Sequence, residues 1–280
     1  NPYPRWRYGS HPKKLSIRNA INNEIKPNCI NHVCTNKKIK VLVAGCGTGN
    51  QILQTQRYMN AHITGIDLSL SSLSYAQRKI NEIGIDNVDL IQMDILEIYL
   101  LKERFDIIEC GGVLHHMNNP KKGLKELVNV LKPNGFMKLG LYSILGRQDV
   151  IKARKYIADQ TFEANRISIQ DFRNKILSGR LKKLNSLQTF IDFYSLSEFR
   201  DLCFHTQEHR FNIKQLKDTL ESNQLKFLGF QLKEPIKSLY KKYFPEDKVQ
   251  TNLDNWSKFE EQYPNTFRAM YQFWVCKTKF

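Results

Sequence analysis

Apolar residues along this chain follow two rhythms, and the switches between them predict the elements. Short β-branched runs alternate with segments of helical spacing from about Lys40 onward. Ile39–Ala44 is an apolar run that ends in glycines, the composition of a strand buried on both faces. Helical spacing follows over 52–59, a second strand spans 61–66, and a second helix covers 71–83 and stops at Gly84. Val88–Gln92 is the third strand, and 105–110 is the fourth, closed by Gly111-Gly112. A helix over 120–131 ends at Lys132-Pro133-Asn134-Gly135, a strong turn signal, and 136–142 is the fifth strand. Strands alternating with helices in this way predict the α/β class, with a doubly wound, mostly parallel sheet. The rhythm then breaks. Residues from about 145 to 222 read as helices and loops, a helical cap inserted after strand five. Two late strands follow at 225–232 and 270–278, separated by a helical stretch rich in aromatic residues. Ligands of open α/β sheets bind outside the carboxyl ends of the strands, so a cap placed there would shape a pocket.

One stretch carries more chemistry than the rest. Val41-Leu42-Val43-Ala44-Gly45-Cys46-Gly47-Thr48-Gly49 joins the first strand to the first helix of the α/β rhythm. Its glycines let the backbone turn tightly and let a ligand approach where a Cβ would clash. The spacing is G-x-G-x-G, not the G-x-G-x-x-G of dinucleotide binders. Asp67 closes the second strand, where a carboxylate can accept from both hydroxyls of a ribose. Asp94 follows the third strand, where a carboxylate can accept from an exocyclic adenine amine. Three such features after three consecutive strands are far more specific than a glycine loop alone. Asp106 starts the fourth strand, away from this edge, and reads as structural.

These residues resemble the class I S-adenosylmethionine-dependent methyltransferases. The resemblance covers 39–142, including Phe105-Asp106-Ile107-Ile108 and the loop Gly112-Val113-Leu114-His115-His116. It implies a Rossmann-like, seven-stranded sheet whose last strand is antiparallel, with S-adenosylmethionine as cofactor and S-adenosylhomocysteine as product. By that match Gly45, Cys46, Gly47, Thr48 and Gly49, with Gly112, would cradle the methionine part. Asp67 would hold the ribose, Leu68, Met93 and Ile95 would flank the adenine, and Asp94 would reach its amine. Val43 departs from the pattern, since many members carry an acidic residue there. A narrower likeness is to the methyltransferase domain of bacterial proteins with tetratricopeptide repeats upstream. It rests on Asn1-Pro2-Tyr3-Pro4-Arg5-Trp6, the glycine loop, Phe204-His205-Thr206-Gln207-Glu208-His209 and Met270-Tyr271-Gln272-Phe273-Trp274. In that group Val43 is ordinary, and a start at Asn1 reads as a piece cut from a longer chain.

Charge changes the picture less than its total suggests. The chain carries 43 Lys and Arg against 27 Asp and Glu, a net +16. Residues 1–40 contribute +8, residues 41–142 contribute zero and residues 143–280 contribute +8. The cofactor-binding core is neutral, so the charge bears only on the acceptor or a partner. Lys, Asn and Ile make up 77 of the 280 residues, a bias that scatters lysine over any solvated surface. At 41% hydrophobic and 25% charged the chain reads as globular, and no apolar run is long enough for a spanning helix. Six scattered cysteines, only Cys29 and Cys34 close together, match no zinc spacing and suit a reducing, cytoplasmic setting. No metal is expected.

Candidates for a base are His115, after the fourth strand, and His205, Glu208 and His209 in the cap; His116 is weaker. His205-Thr206-Gln207-Glu208-His209 literally matches H-x-x-E-H, but no third zinc ligand is evident. Tyr142 and Ser143 end the fifth strand beside the cap, where they could contact substrate. The segment 1–38, with Tyr3, Arg5 and Trp6, is expected to pack near the cofactor site of a 39–280 methyltransferase domain. Tyr240, Tyr243, Phe244, Trp256, Phe259 and Tyr263 read mostly as core. The expected activity is methyl transfer to an unidentified acceptor, a small molecule or protein side chain. An RNA acceptor held by the basic flanks, or a non-catalytic cofactor-binding module, is the alternative.

Overall fold

The computed structural model describes residues 12–31 and 38–278. Tyr3, Arg5, Trp6 and Cys34 lie outside the described residues. In chain order the elements are α1 (Ile17–Ile25), β1 (Ile39–Ala44), α2 (Asn50–Thr55), β2 (Ala61–Asp67), α3 (Leu70–Glu82), β3 (Val88–Gln92) and β4 (Phe105–Gly111). There follow α4 (Pro120–Val130), β5 (Leu131–Leu141), α5 (Gln148–Asp159), α6 (Arg166–Leu177), α7 (Leu196–Phe204) and α8 (Ile213–Ser222). Then come β6 (Leu225–Phe230), α9 (Glu234–Tyr243), α10 (Leu253–Gln262) and β7 (Tyr271–Lys277). The seven strands form one sheet in the order β3-β2-β1-β4-β5-β7-β6. β1 to β5 pair in parallel, and β7 runs antiparallel to both β5 and β6.

Alternation along the strands divides the core into two layers, because successive side chains point to opposite faces. Val41, Val43, Ile63 and Trp274 pack with Ile17, Ile21, Ile25, Ile52 and Leu73, so α1, α2 and α3 cover one face. Leu42, Ile108, Leu139 and Phe273 pack with Leu127, Leu216, Tyr240, Trp256 and Phe259, so α4, α8, α9 and α10 cover the other. The aromatic-rich stretch is therefore core: Tyr240 stacks on Trp256 with ring centroids 3.8 Å apart. Tyr243, 47% exposed, is the exception. α4 begins where Asn119 caps the Lys122 amide and Pro120 occupies the first turn.

Two stretches differ from the sequence expectation. The Lys132-Pro133-Asn134-Gly135 turn does not precede β5 but interrupts it. Leu131 pairs with Phe105 and Phe136 with Ile107, and the extra residues bulge out with Asn134 at φ 58°. Both Leu131 and Phe105 are buried, so burial holds the pair on either side of the bulge. The expected cap of 145–222 divides in two. Val150, Phe172, Phe193, Phe199 and Phe204 share a core of their own, whereas α8 packs with the sheet. Ile213, Leu216 and Leu220 fall on one face of α8, and that apolar stripe is what seats it there. Among the described residues no helix is long and apolar enough to cross a membrane.

Candidate active site

The loop after β1 is shaped by three glycines, each for a different reason. Gly45 and Cys46 donate from their amides to the Ile66 carbonyl, turning the chain over the end of β2. A Cβ on Gly45 would lie 2.3 Å from Val113 Cγ2, so this glycine admits the loop that follows β4. Gly49 sits at φ 90° as the N-cap of α2. Gly47 has φ 52°, and a Cβ there would meet nothing within 4 Å. Gly112, across the loop, has φ 80° and the same open surroundings. Positive φ with open space beyond the missing Cβ makes a cradle that a side chain would fill.

Asp67 and Asp94 set the two strand ends beside this loop. Asp67 Oδ2 accepts from the Gly47 amide at 2.8 Å, and Oδ1 accepts from the Ser69 amide at 2.8 Å. Both oxygens keep a second lone pair, so the carboxylate is aimed while still able to accept. Asp94 Oδ1 accepts from the Leu96 amide at 2.9 Å and caps a short 3-10 turn. The Met93 amide donates to the Asp67 carbonyl, tying the ends of β2 and β3 together. Leu68 is exposed, Met93 is half-buried and Ile95 is buried beneath the turn. Burial, with Asp67 nearby, pushes the Cys46 thiol up to about 12, and burial pushes Cys110 up to about 12, so neither is a thiolate.

A cleft of about 610 Å³ opens from Gly45, Cys46, Gly47 and Thr48 past Gly111-Gly112 to the ends of β5 and β7. The cap closes it with Asp192, Glu198, Asp201 and Leu202. Asp67, Leu68, Met93, Asp94 and Ile95 lie outside the cleft lining, at the ends of β2 and β3 on the far side of the loop. The cleft floor is a buried charge network that the sequence reading passed over. Glu109 accepts from Arg57 at 2.6 Å and from the Tyr58 hydroxyl at 2.5 Å. Glu24 of α1 pairs with Lys138 at 2.7 Å and with Arg57 at 3.5 Å, and accepts from the Trp274 indole at 2.8 Å. Burial pushes the Glu109 carboxyl up, but Arg57, Lys138 and the Tyr58 hydroxyl outweigh it and hold the group below its ordinary value. A glutamate inside the apolar run Ile107-Ile108-Glu109-Cys110 was the available signal, since a buried carboxylate requires partners.

None of the four residues expected as base candidates lines the cleft. His115 is fully buried with its ring stacked on Tyr142, and burial, with His116 and Arg147 nearby, pushes it down to about 2. Its ring is uncharged at neutral pH. His205-Thr206-Gln207-Glu208-His209 is a loop following α7, so helical spacing does not bring its histidines onto one face. Glu208 is paired with Arg147 at 2.6 Å, with both side chains buried. His116 Nδ1 donates to the Gln207 carbonyl at 2.8 Å, and His205 Nδ1 lies 2.8 Å from the same oxygen. His209 lines a separate groove with Asn119 and Lys121. Among the described residues no group of three or more His, Cys, Asp or Glu side chains could hold a metal.

Buried His115 and half-buried His116 predict a pH dependence. Burial drives His116 down to about 4, as it drives His115 lower still, from an ordinary 6.5. The unfolded chain therefore binds more protons than the folded one below about pH 6.5, so stability falls as pH falls. The slope is up to about 1.4 kcal/mol per pH unit per group. Urea midpoints should drop between pH 7 and 5, and the drop should shrink in His116→Asn.

Comparison with known proteins decides the family. The methyltransferase domain family matches residues 35–193. The chain belongs to the methyltransferase domain family. It is a methyltransferase domain with S-adenosylmethionine as methyl donor. It is 32% identical over 204 residues to a protein of Synechococcus sp., covering 68% of this chain and 48% of that one. It is 26% identical over 220 residues to the malonyl-[acyl-carrier protein] O-methyltransferase of Priestia megaterium, covering 75% of this chain and 71% of that one. In fold it is similar to PKMT2 from Rickettsia typhi, solved in complex with AdoHcy, with a TM-score of 0.63 and 20% identity. That match covers 85% of this chain and 49% of the Rickettsia chain. The chain thus spans about half the length of the Synechococcus and Rickettsia proteins.

For a methyltransferase domain the Gly47 and Gly112 cradle provides a direct test. Gly112→Val should lower S-adenosylhomocysteine affinity at least tenfold by calorimetry, because the side chain enters the open space. The positive φ should cost about 1–3 kcal/mol of stability. Gly45→Ala should instead act mainly on stability, through the Val113 contact.

Proposed function

We propose that this domain holds S-adenosylmethionine across the glycine loop and delivers its methyl group to an acceptor in the cleft beneath the cap. The carrying observation is that Gly47 and Gly112, both at positive φ with open space at the missing Cβ, face one cleft. In this reading Gly45, Cys46, Gly47, Thr48, Gly49 and Gly112 surround the methionine part of the cofactor. Asp67 accepts from the ribose hydroxyls, Asp94 from the adenine amine, and Leu68, Met93 and Ile95 pack against the ring. When bound, the sulfonium supplies a methyl group already activated for displacement. The chain's own residues then align the nucleophile and exclude water, which the cap does by covering the strand ends. The segment before β1 takes part through Glu24, which lines the same cleft.

The acceptor is a small molecule or a protein side chain carrying an amine or a neutral nucleophile. Glu24, Glu109, Asp192, Glu198 and Asp201 all line the cleft, and carboxylates disfavour a phosphate backbone. The cleft's cations, Arg57 and Lys138, are paired with Glu109 and Glu24, so carboxylates outnumber them in the lining. Lys152, Arg180, Lys182 and Lys183 gather instead around a separate groove on the cap. The likeness to domains that follow tetratricopeptide repeats supports a protein acceptor, which a repeat array would present. Labelled S-adenosylmethionine and a cell extract split into protein, RNA and small-molecule fractions test this. Label in the protein or small-molecule fraction is expected. Label confined to RNA would overturn the acceptor class.

A further inference from the structure

We propose that Tyr142 is the wall of the cleft that contacts and orients the acceptor, and that the 205–211 loop is the clamp that fixes its ring. This rests on the function proposed above. Tyr142 lines the cleft just beyond the end of β5. The His115 ring stacks on it at 3.7 Å with an interplanar angle of 28°. Arg147 Cζ sits 3.7 Å from the same centroid. Two groups that close cannot share one face without interpenetrating, so the tyrosine is sandwiched. With both faces covered, what it presents to the cleft is its edge and hydroxyl.

Each half of the sandwich is held by the loop that carries the H-x-x-E-H pattern. Glu208 pairs with Arg147 at 2.6 Å, and Arg210 lies 3.7 Å from the same carboxylate. Arg147 also donates to the carbonyl of Leu202, itself a cleft residue, at 3.4 Å. The His209 amide donates to the His115 carbonyl at 2.7 Å. His116 packs edge-on to His115 at 4.4 Å and lies tilted against His205 at 3.8 Å. The Phe211 amide donates to the Tyr142 carbonyl at 2.8 Å, and Ile144 returns a bond to Phe211 at 2.9 Å. The loop therefore grips the backbone of Tyr142 and both groups that cover its ring. A buried ion pair is a poor source of net stability, so its value here is in position. Arg147 and Glu208 are positioning residues in this account, and His115 is a neutral spacer.

Three measurements test the proposal on the 280-residue chain. S-adenosylhomocysteine affinity, by calorimetry, reports on the cofactor half alone; its absence in the wild type would overturn the underlying function, not the clamp. Tyr142→Leu should keep that affinity within about threefold and lower labelled methyl transfer to the receptive extract fraction at least tenfold. Tyr142→Phe, which keeps the sandwich, should retain more transfer than Tyr142→Leu. Because Glu208→Gln strands a buried Arg147, the paired change Arg147→Met with Glu208→Leu serves as the variant that folds. It should lower transfer, leave S-adenosylhomocysteine affinity unchanged and alter the near-ultraviolet circular dichroism of tyrosine. That spectral change should vanish when Tyr142 is already phenylalanine. Wild-type transfer in Tyr142→Leu, a parallel loss of S-adenosylhomocysteine affinity, or an unaltered spectrum in the paired variant would overturn it.

Discussion

Asp67→Ala should weaken S-adenosylhomocysteine binding about 100-fold, read by isothermal calorimetry. Hydrogen bonds to a charged group contribute about 1.5–3 kcal/mol each, and two ribose hydroxyls are lost together. A 100-fold change corresponds to about 2.7 kcal/mol, near the upper end for one such bond and just below the sum for two. The same substitution removes the acceptor for the Gly47 and Ser69 amides, so the loop loses its anchor as well as its ligand contact. Asp67→Asn should be nearly as damaging. Both oxygens already face N–H donors, so an amide must turn its own NH2 toward one of them. Wild-type affinity in Asp67→Ala would remove this residue from the cofactor site.

The second large effect is on stability. Glu109→Ala should cost about 3–5 kcal/mol, the range for breaking a buried ion pair by removing one partner. Arg57 is 11% exposed at its side chain and Lys138 15%, so neither has much water to turn to. Glu109 also holds Tyr58, which is fully buried. At about 2–4 °C per kcal/mol for a domain near this size, the melting midpoint should fall by about 10 °C. Glu109→Gln keeps the shape and one acceptor, and should cost less. Replacing the pair together, Arg57→Met with Glu109→Leu, should recover most of the loss, because no charge is then stranded. A single Glu109→Ala variant as stable as wild type would show that the network contributes nothing. The floor of the cleft depends on the same groups, so cofactor affinity should fall in Glu109→Ala more than in the paired variant.

Local pattern was enough for the first four strands and the glycine loop, whereas the seven-stranded sheet with its antiparallel strand came from the family resemblance. The β-branched runs at β1 to β5 and the glycines after them are short-range features, and backbone geometry leaves few ways to connect such units. The positions of Gly47, Asp67 and Asp94 at one edge of the sheet were legible for the same reason: each ends or follows a strand, and parallel strands bring those ends together. The cap was legible as an interruption but not as a unit. Its division at α8 depends on which apolar stripe finds the sheet, a long-range choice.

On the side proposed to face the acceptor, the sequence pointed to Tyr142, but the surroundings of every other candidate came only from tertiary packing. His115, His205, Glu208 and His209 attracted notice by residue type, yet a side chain's chemistry depends on what surrounds it. Burial leaves His115 uncharged, and Arg147, 61 residues from Glu208, claims that carboxylate. Glu109 on β4 pairs in register with Lys138 on β5, with Glu24 brought in from α1 and Arg57 from just after α2. Loop closure over such distances leaves no local trace in composition or period. The succession of strands and helices along the chain is written in local pattern, whereas the pairing of buried charges is decided only when the sheet assembles and removes water from them.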